Sequence, residues 1–188
     1  MLERRRIPTL TLTTLLILST LATASVSTAA PPQPQGAWIT LMTEGFEGEF
    51  PSERWHIGRS GDPYLWGQRD CNPHQGVYSL WGGGGGTLGA QLPCSGLYTT
   101  GFATTLSYGP FDLSGCTDVR VNFAHWTWLG AGDWLGVGYS IDGGTVWHLL
   151  SIYGNAVAIC DGWCEESFYQ NQWSIPLCGQ PRVYLLFR

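Results

Sequence analysis

The chain contains no lysine: its nine basic residues are all arginine, set against fourteen acids. Three of those arginines, Arg4, Arg5 and Arg6, crowd the amino end. Without residues 1–30 the balance is six Arg against thirteen acids, a net charge of −7. No basic stripe remains to track a phosphate backbone, which argues against nucleic acid as a partner. Charged residues of both signs make up only 12% of the chain. Past residue 30 no apolar run approaches the ~20 residues of a spanning helix, so no stable membrane span is expected after signal cleavage. No 3.6-residue apolar period appears there either, which argues against a helical body. Also missing are a GxSxG elbow, an HExxH pair and an SxxK nucleophile. The glycine run Gly82–Gly86 has no following lysine or helical pattern, so it cannot be a phosphate-cradling loop and is read as a mobile one. His56, His74, His125 and His148 lack metal-ligand spacing, and His125 and His148 read as structural histidines. Thirteen acids always allow some carboxylate pair, so none is singled out for glycoside hydrolysis. No catalytic residue is assigned, and the chain reads as a non-enzyme.

Glycine and tryptophan are abundant, at 26 and 10 residues. Short apolar runs punctuated by Gly and Pro favour an all-β architecture. The clearest stretch is Asp133–Leu150. Leu135, Val137, Tyr139 and Ile141 alternate with Gly136, Gly138, Ser140 and Asp142, the two-residue period of a strand with one apolar face. Asp142-Gly143-Gly144-Thr145 then supplies turn chemistry, and Val146, Trp147, Leu149 and Leu150 restart the apolar pattern, which makes a hairpin. Further strands are expected over Trp38–Met42, Gly76–Trp81, Leu97–Tyr108, Val119–Trp128, Ile152–Ile159, Trp173–Ile175 and Val183–Phe187. The expected fold is a two-sheet antiparallel β-sandwich of the jelly-roll kind. The last apolar run stops at Phe187-Arg188 with no turn or polar tail. That predicts a domain incomplete at its last strand and a fragment of a longer protein.

The amino end reads as an export signal over residues 1–30: a basic start, an apolar run from Leu10 to about Ala24, and small residues Ser27-Thr28-Ala29-Ala30 for cleavage. Residues 31–37 form a Pro/Gln-rich leader and residues 38–188 the β-sandwich. The mature product is expected to be secreted, extracellular or on the cell surface. All six cysteines follow the signal, and in an oxidising compartment they read as disulfides. Cys71 and Cys94 bracket one loop region, and Cys160 and Cys164 close a tight one. Cys116 and Cys178 each precede an Arg-Val pair by four residues, which suggests neighbouring strands at one end of a sheet. The expected pairs are therefore Cys71–Cys94, Cys160–Cys164 and Cys116–Cys178. Zinc at Cys160, Cys164 and Cys178 is the weaker reading, because nothing completes the set.

Glu44, Glu47 and Glu49 alternate around Phe46. Such a cluster is either a solvated acidic edge or an oxygen-rich site for a cation such as Ca²⁺. Of the tryptophans, Trp66, Trp81, Trp126, Trp128 and Trp163 would form a sugar-stacking platform if exposed and coplanar; the competing reading puts them in the core.

GFEGEFPSERW (45–55), Trp66-Gly67, GVYSLWGGGG (76–85), GPFDLSGCTDVRVNFAHW (109–126), GDWLGVGYSIDGGTVW (132–147) and RVYLLF (182–187) occur in one order. In that succession the chain resembles bacterial extracellular MAM-like modules: cleaved-adhesin or "choice-of-anchor" domains, and the domain beside secreted immune-inhibitor-type peptidases. The resemblance implies a jelly roll that mediates binding or adhesion and is not catalytic. It implies a structural Ca²⁺, with Glu47 at the position of an acidic ligand and Asp133 as a second candidate. It also implies a further closing strand, before which this chain stops. The expected function is a secreted binding module for an extracellular protein or glycan, an accessory part of a larger protein. The alternatives are a carbohydrate-binding module and a structural domain supporting a neighbouring peptidase.

Overall fold

A computed structural model describes residues 2–6, 37–58, 62–99, 101–154 and 162–188. The regular structure of the described chain is almost entirely strand: β1 (Leu2–Arg6), β2 (Trp38–Met42), β3 (Trp55–Ile57), β4 (Leu65–Arg69), β5 (Ser79–Gly85), β6 (Leu106–Phe111), β7 (Cys116–His125), β8 (Trp134–Ser140), β9 (His148–Gly154), β10 (Cys164–Tyr169) and β11 (Val183–Phe187). Every pairing is antiparallel. The strands form a four-stranded sheet in the order β10-β7-β1-β2, a five-stranded sheet in the order β3-β6-β11-β8-β9, and the ribbon β4-β5.

The core lies where the two larger sheets meet. Val119 and Val121 of β7, Phe168 of β10 and Leu2 of β1 face Val137 and Tyr139 of β8, Val183 and Leu185 of β11 and Phe111 of β6. The two-residue period of each strand supplies this: Val119 and Val121 are buried while Thr117 is exposed and Asp118 and Arg120 are half-buried. Each fully buried aliphatic side chain contributes about 1.5–3 kcal/mol. Tyr139 is completely buried yet polar at its tip. Its hydroxyl lies 2.7 Å from Ser174 Oγ and accepts the Ile175 N–H at 2.9 Å. That bond explains why Trp173–Ile175 is not a strand: its backbone is satisfied by a side chain of the opposite element.

The hairpin at 133–150 forms as expected, β8 against β9. Its loop is held by Asp142, whose Oδ1 accepts the N–H groups of Thr145 (3.1 Å) and Val146 (3.0 Å) and the Ser140 hydroxyl (2.7 Å). Gly143 and Gly144 sit at φ 84° and 89°, where a Cβ would be strained.

Two further expectations change. Gly82–Gly85 is not a loop but half of β5. A Cβ on Gly67 would lie 2.5 Å from Gly85 N, and one on Gly85 would lie 2.7 Å from Trp66 O, so the two backbones close only without side chains. Of Leu97–Tyr108, only the end from Leu106 is strand. Before it, Tyr98 packs on Phe102 (4.7 Å) and Phe102 on Tyr64 (5.2 Å), side-chain packing in place of a ladder. β11 pairs with β6 on one side and β8 on the other. Leu2–Arg6, at the start of the expected signal, form β1, paired with β7 on one side and β2 on the other.

Cys71–Cys94 and Cys116–Cys178 are disulfides. The reason given for the second pair needs revising: β7 and β11 lie in different sheets, so Cys116–Cys178 ties sheet to sheet. Cys164 is also disulfide-bonded; its expected partner Cys160 lies outside the described residues, as does Ile159 of the expected strand Ile152–Ile159.

Two outcomes are expected. The bridges close 62 and 23 residues of sequence, so by loop entropy replacing Cys116 and Cys178 with Ser should cost about 4 kcal/mol and replacing Cys71 and Cys94 about 3. Urea titration of the two double variants reads the order. The N–H of Val146, then the Ser140 hydroxyl and the Thr145 N–H, hold the Asp142 carboxyl below the usual aspartate range. Its folded pKa is thus lower than its unfolded one, so its contribution is complete above about pH 4 and fades as pH falls through the native value. Asp142→Ala should be less stable than the parent at neutral pH, with the gap narrowing on acidification, as followed by denaturation at several pH values.

Candidate functional site

Two surfaces combine aromatic and polar side chains. The first is built by register. β10 runs antiparallel to β7 with Cys164 opposite His125, so the residues just beyond, Trp163 and Trp126, come side by side. Their rings sit 6.3 Å apart at 71°. His74, from the β4–β5 connection, adds a third ring 5.0 Å from Trp163. The strand alternation persists past the end of β7. His125 and Thr127 turn inward, 8% and 5% exposed, while Trp126 and Trp128 turn outward at 44% and 81%. The inward residues meet one another: His125 Nδ1 lies 2.6 Å from Thr127 Oγ1, and Glu166 Oε1 lies 3.7 Å from Nε2. His125 is therefore the structural histidine the sequence indicated, and it braces the platform. His148 likewise stacks on Tyr139, ring centres 5.2 Å apart.

The five candidate tryptophans divide. Trp126, Trp128 and Trp163 belong to this corner. Trp66 and Trp81 belong to the β4–β5 ribbon and are half-buried, Trp66 against Phe187 (6.4 Å) and Trp81 under the Arg69 guanidinium (5.3 Å). The five do not make one coplanar row, and the touching pair is T-shaped.

The second surface is a cleft of about 290 Å³ lined by His56, Ile57, Gly58, Thr105, Ser107, Trp147, Leu149, Leu186 and Arg188. Register generates it too. His56 pairs with Ser107, Ser107 with Leu186, Leu186 with Gly138, and Gly138 with Leu149, one row across all five strands. Leu186 and Gly138 lie on the face opposite Leu185 and Tyr139, which point to the core. The centre of the row is small or low, while Trp147, His56 and Arg188 rise at its sides. Sequence reading passed over these residues. The one signal for them was the small outward series Gly136, Gly138, Ser140, which leaves a trough on the sheet.

The two calcium candidates bond different partners. Glu47 Oε1 accepts the N–H groups of Val77 and Tyr78, each at 3.0 Å. A Cβ on Gly76 would lie 2.3 Å from that same oxygen, so the turn fits closely around the carboxylate. The neighbouring carbonyls of Phe46 and Gly48 accept from Gln68 Nε2. Glu44 accepts the Phe46 N–H (2.7 Å) and the Trp55 indole N–H (3.1 Å). Asp133 instead accepts the Gly130 N–H (3.2 Å) and bonds Tyr98, whose phenol is pushed up by burial and then by the Asp133 charge. Among the described residues, the one trio of Cys, Asp, Glu or His with ligand atoms within 4.8 Å is Asp70, Cys71 and Cys94, and its two sulfurs are joined in a disulfide. Calcium takes about six to eight oxygens, and neither Glu47 nor Asp133 belongs to that trio. No helix of the described residues is long and apolar enough to cross a membrane.

No protein-family model, curated protein or solved structure matches this chain.

Glu47 therefore acts as a backbone acceptor. Glu47→Ala should lower stability by about 0.5–1.5 kcal/mol, and a chelator should leave the melting temperature of the parent unchanged. Differential scanning calorimetry of both proteins with and without EDTA checks the pair of outcomes.

Proposed function

We propose that the chain is a secreted, disulfide-braced jelly-roll module of the MAM-like kind, which binds an extracellular protein and performs no chemistry of its own. The observation that carries this reading is the corner Trp126–Trp163–His74 with Trp128 beside it: large rings left outside a sheet that had a core to put them in. Tryptophan is enriched among the few residues that dominate protein–protein affinity, because one ring desolvates a large area at small entropic cost. Beneath it the buried His125–Thr127 contact fixes the backbone, so the rings are held before binding rather than ordered by it. Disulfides in every described cysteine agree with an oxidising compartment.

A second reading, glycan binding, is favoured by the cleft. Trp147 offers an apolar ring face, and His56, Thr105, Ser107 and Arg188 offer hydrogen-bonding groups around it. The non-coplanar Trp126–Trp163 pair makes the corner a poor platform for a flat sugar.

The readings separate by which surface matters. Retention of the immobilised protein on extracellular matrix proteins and on a glycan array is compared for the parent, Trp126→Ala/Trp128→Ala and His56→Ala/Trp147→Ala. Loss of a hot-spot tryptophan typically costs about 2 kcal/mol, roughly thirtyfold in affinity. The corner variant is expected to lose retention on protein by that amount while keeping its melting temperature. Glycan retention lost only in the cleft variant would establish the second reading, and binding unaffected by both would reject each.

A further inference from the structure

The molecule covers several of its outer tryptophans in one way. Trp38 and Trp134 are 40% and 41% exposed, and each has an arginine of the same chain over its ring, Arg120 at 5.2 Å and Arg188 at 5.1 Å. Arg69 covers Trp81 in the same manner at 5.3 Å. A flat guanidinium is attracted to the negative face of an indole and is more weakly hydrated than an ammonium. The corner departs from this pattern. Trp126 and Trp128 are more exposed still, at 44% and 81%, yet among the described residues no arginine stacks on either of them or on Trp163.

Register places a carboxylate beside these rings. Phe168 of β10 is buried, so the two-residue period turns Glu165 outward, where it is exposed. Glu165 pairs with Ala124. Trp126 lies two residues further along the chain and turns to the same side, which makes it the diagonal neighbour of Glu165. Such neighbours are roughly 7–8 Å apart, within reach of one long side chain. Ala124, opposite the carboxylate, brings only a methyl group to the space between them. The one arginine of β7, Arg120, lies four residues back from Ala124, roughly 13 Å along the strand, and is engaged with Trp38. An open indole face and an exposed carboxylate thus adjoin one another, in a chain with six Arg against thirteen acids beyond residue 30.

We infer that the corner receives an arginine side chain of the partner protein, its guanidinium stacked on Trp126 and its N–H groups directed to the Glu165 carboxylate. The inference rests on the reading of this corner as a protein-docking surface and specifies what docks there. Arginine suits the site better than lysine. Its planar fork can lie on a ring and donate to a carboxylate at once, whereas an ammonium is a compact, strongly hydrated charge. The partner's arginine would then repeat on Trp126 the contact that Arg120 makes on Trp38.

The probes are three capped tripeptides, acetyl-Gly-X-Gly-amide, with X arginine, lysine or citrulline. Citrulline keeps the shape of arginine without its charge. Each is titrated into the intact, oxidised chain while the indole N–H signals are followed by NMR, with the Trp126 signal assigned by its loss in Trp126→Phe. The arginine peptide is expected to shift that signal saturably and to bind about tenfold more tightly than the citrulline peptide, with lysine between them. Glu165→Gln removes an exposed charge and keeps the shape. It should weaken the arginine peptide about threefold and leave citrulline binding and the melting temperature unchanged. No saturable shift, arginine and citrulline binding equally, lysine binding as tightly as arginine, or Glu165→Gln binding arginine like the parent each overturns the inference. Retention on extracellular matrix proteins separates it from the docking reading. Retention lost in Trp126→Ala/Trp128→Ala but full in Glu165→Gln overturns the arginine and leaves the docking surface standing. Full retention in both variants overturns the docking surface, and the arginine with it.

Discussion

One corner holds the two sheets together. Cys116 opens β7 and Cys178 lies just before β11, and each of these strands is an inner member of its sheet. The disulfide between them brings the Cα atoms to 5.2 Å, far closer than the roughly 10 Å that separates packed sheets. Beside it Leu113 N–H donates to Gln180 O at 2.8 Å and Gly179 N–H to Leu113 O at 2.9 Å. Leu113 and Leu177, both fully buried, fill the space under the bridge. Covalent, hydrogen-bonded and apolar contacts thus converge where the chain enters the central strand of each layer. Tyr139, reaching across to Ser174 and Ile175, extends the same tie deeper into the core.

Much of this could be read from sequence, because local rules were enough. The alternation of Leu135, Val137 and Tyr139 names the inward face of β8, and Asp142-Gly143-Gly144 names its turn. The two described bridges were legible as pairs. What Cys116 and Cys178 could not reveal was that their strands lie in opposite sheets, since equal offsets in sequence say nothing about which layer a strand joins. Gly82–Gly85 misleads for a related reason. A glycine run reads as flexibility until the partner backbone is known, and here β4 at Gly67 lies too close for any side chain.

The two candidate surfaces follow one rule. Both are made by residues on the face of a strand that the core does not use, and both depend on register to bring those residues into contact. Trp126 and Trp163 could be suspected singly, but only the pairing of His125 with Cys164 makes them neighbours. The row from His56 to Leu149 crosses five strands that are far apart in sequence, so no single stretch could announce it. Glu47 shows the same dependence on distant partners: its Oε1 accepts two N–H groups of the turn beyond Gly76, some thirty residues on in sequence.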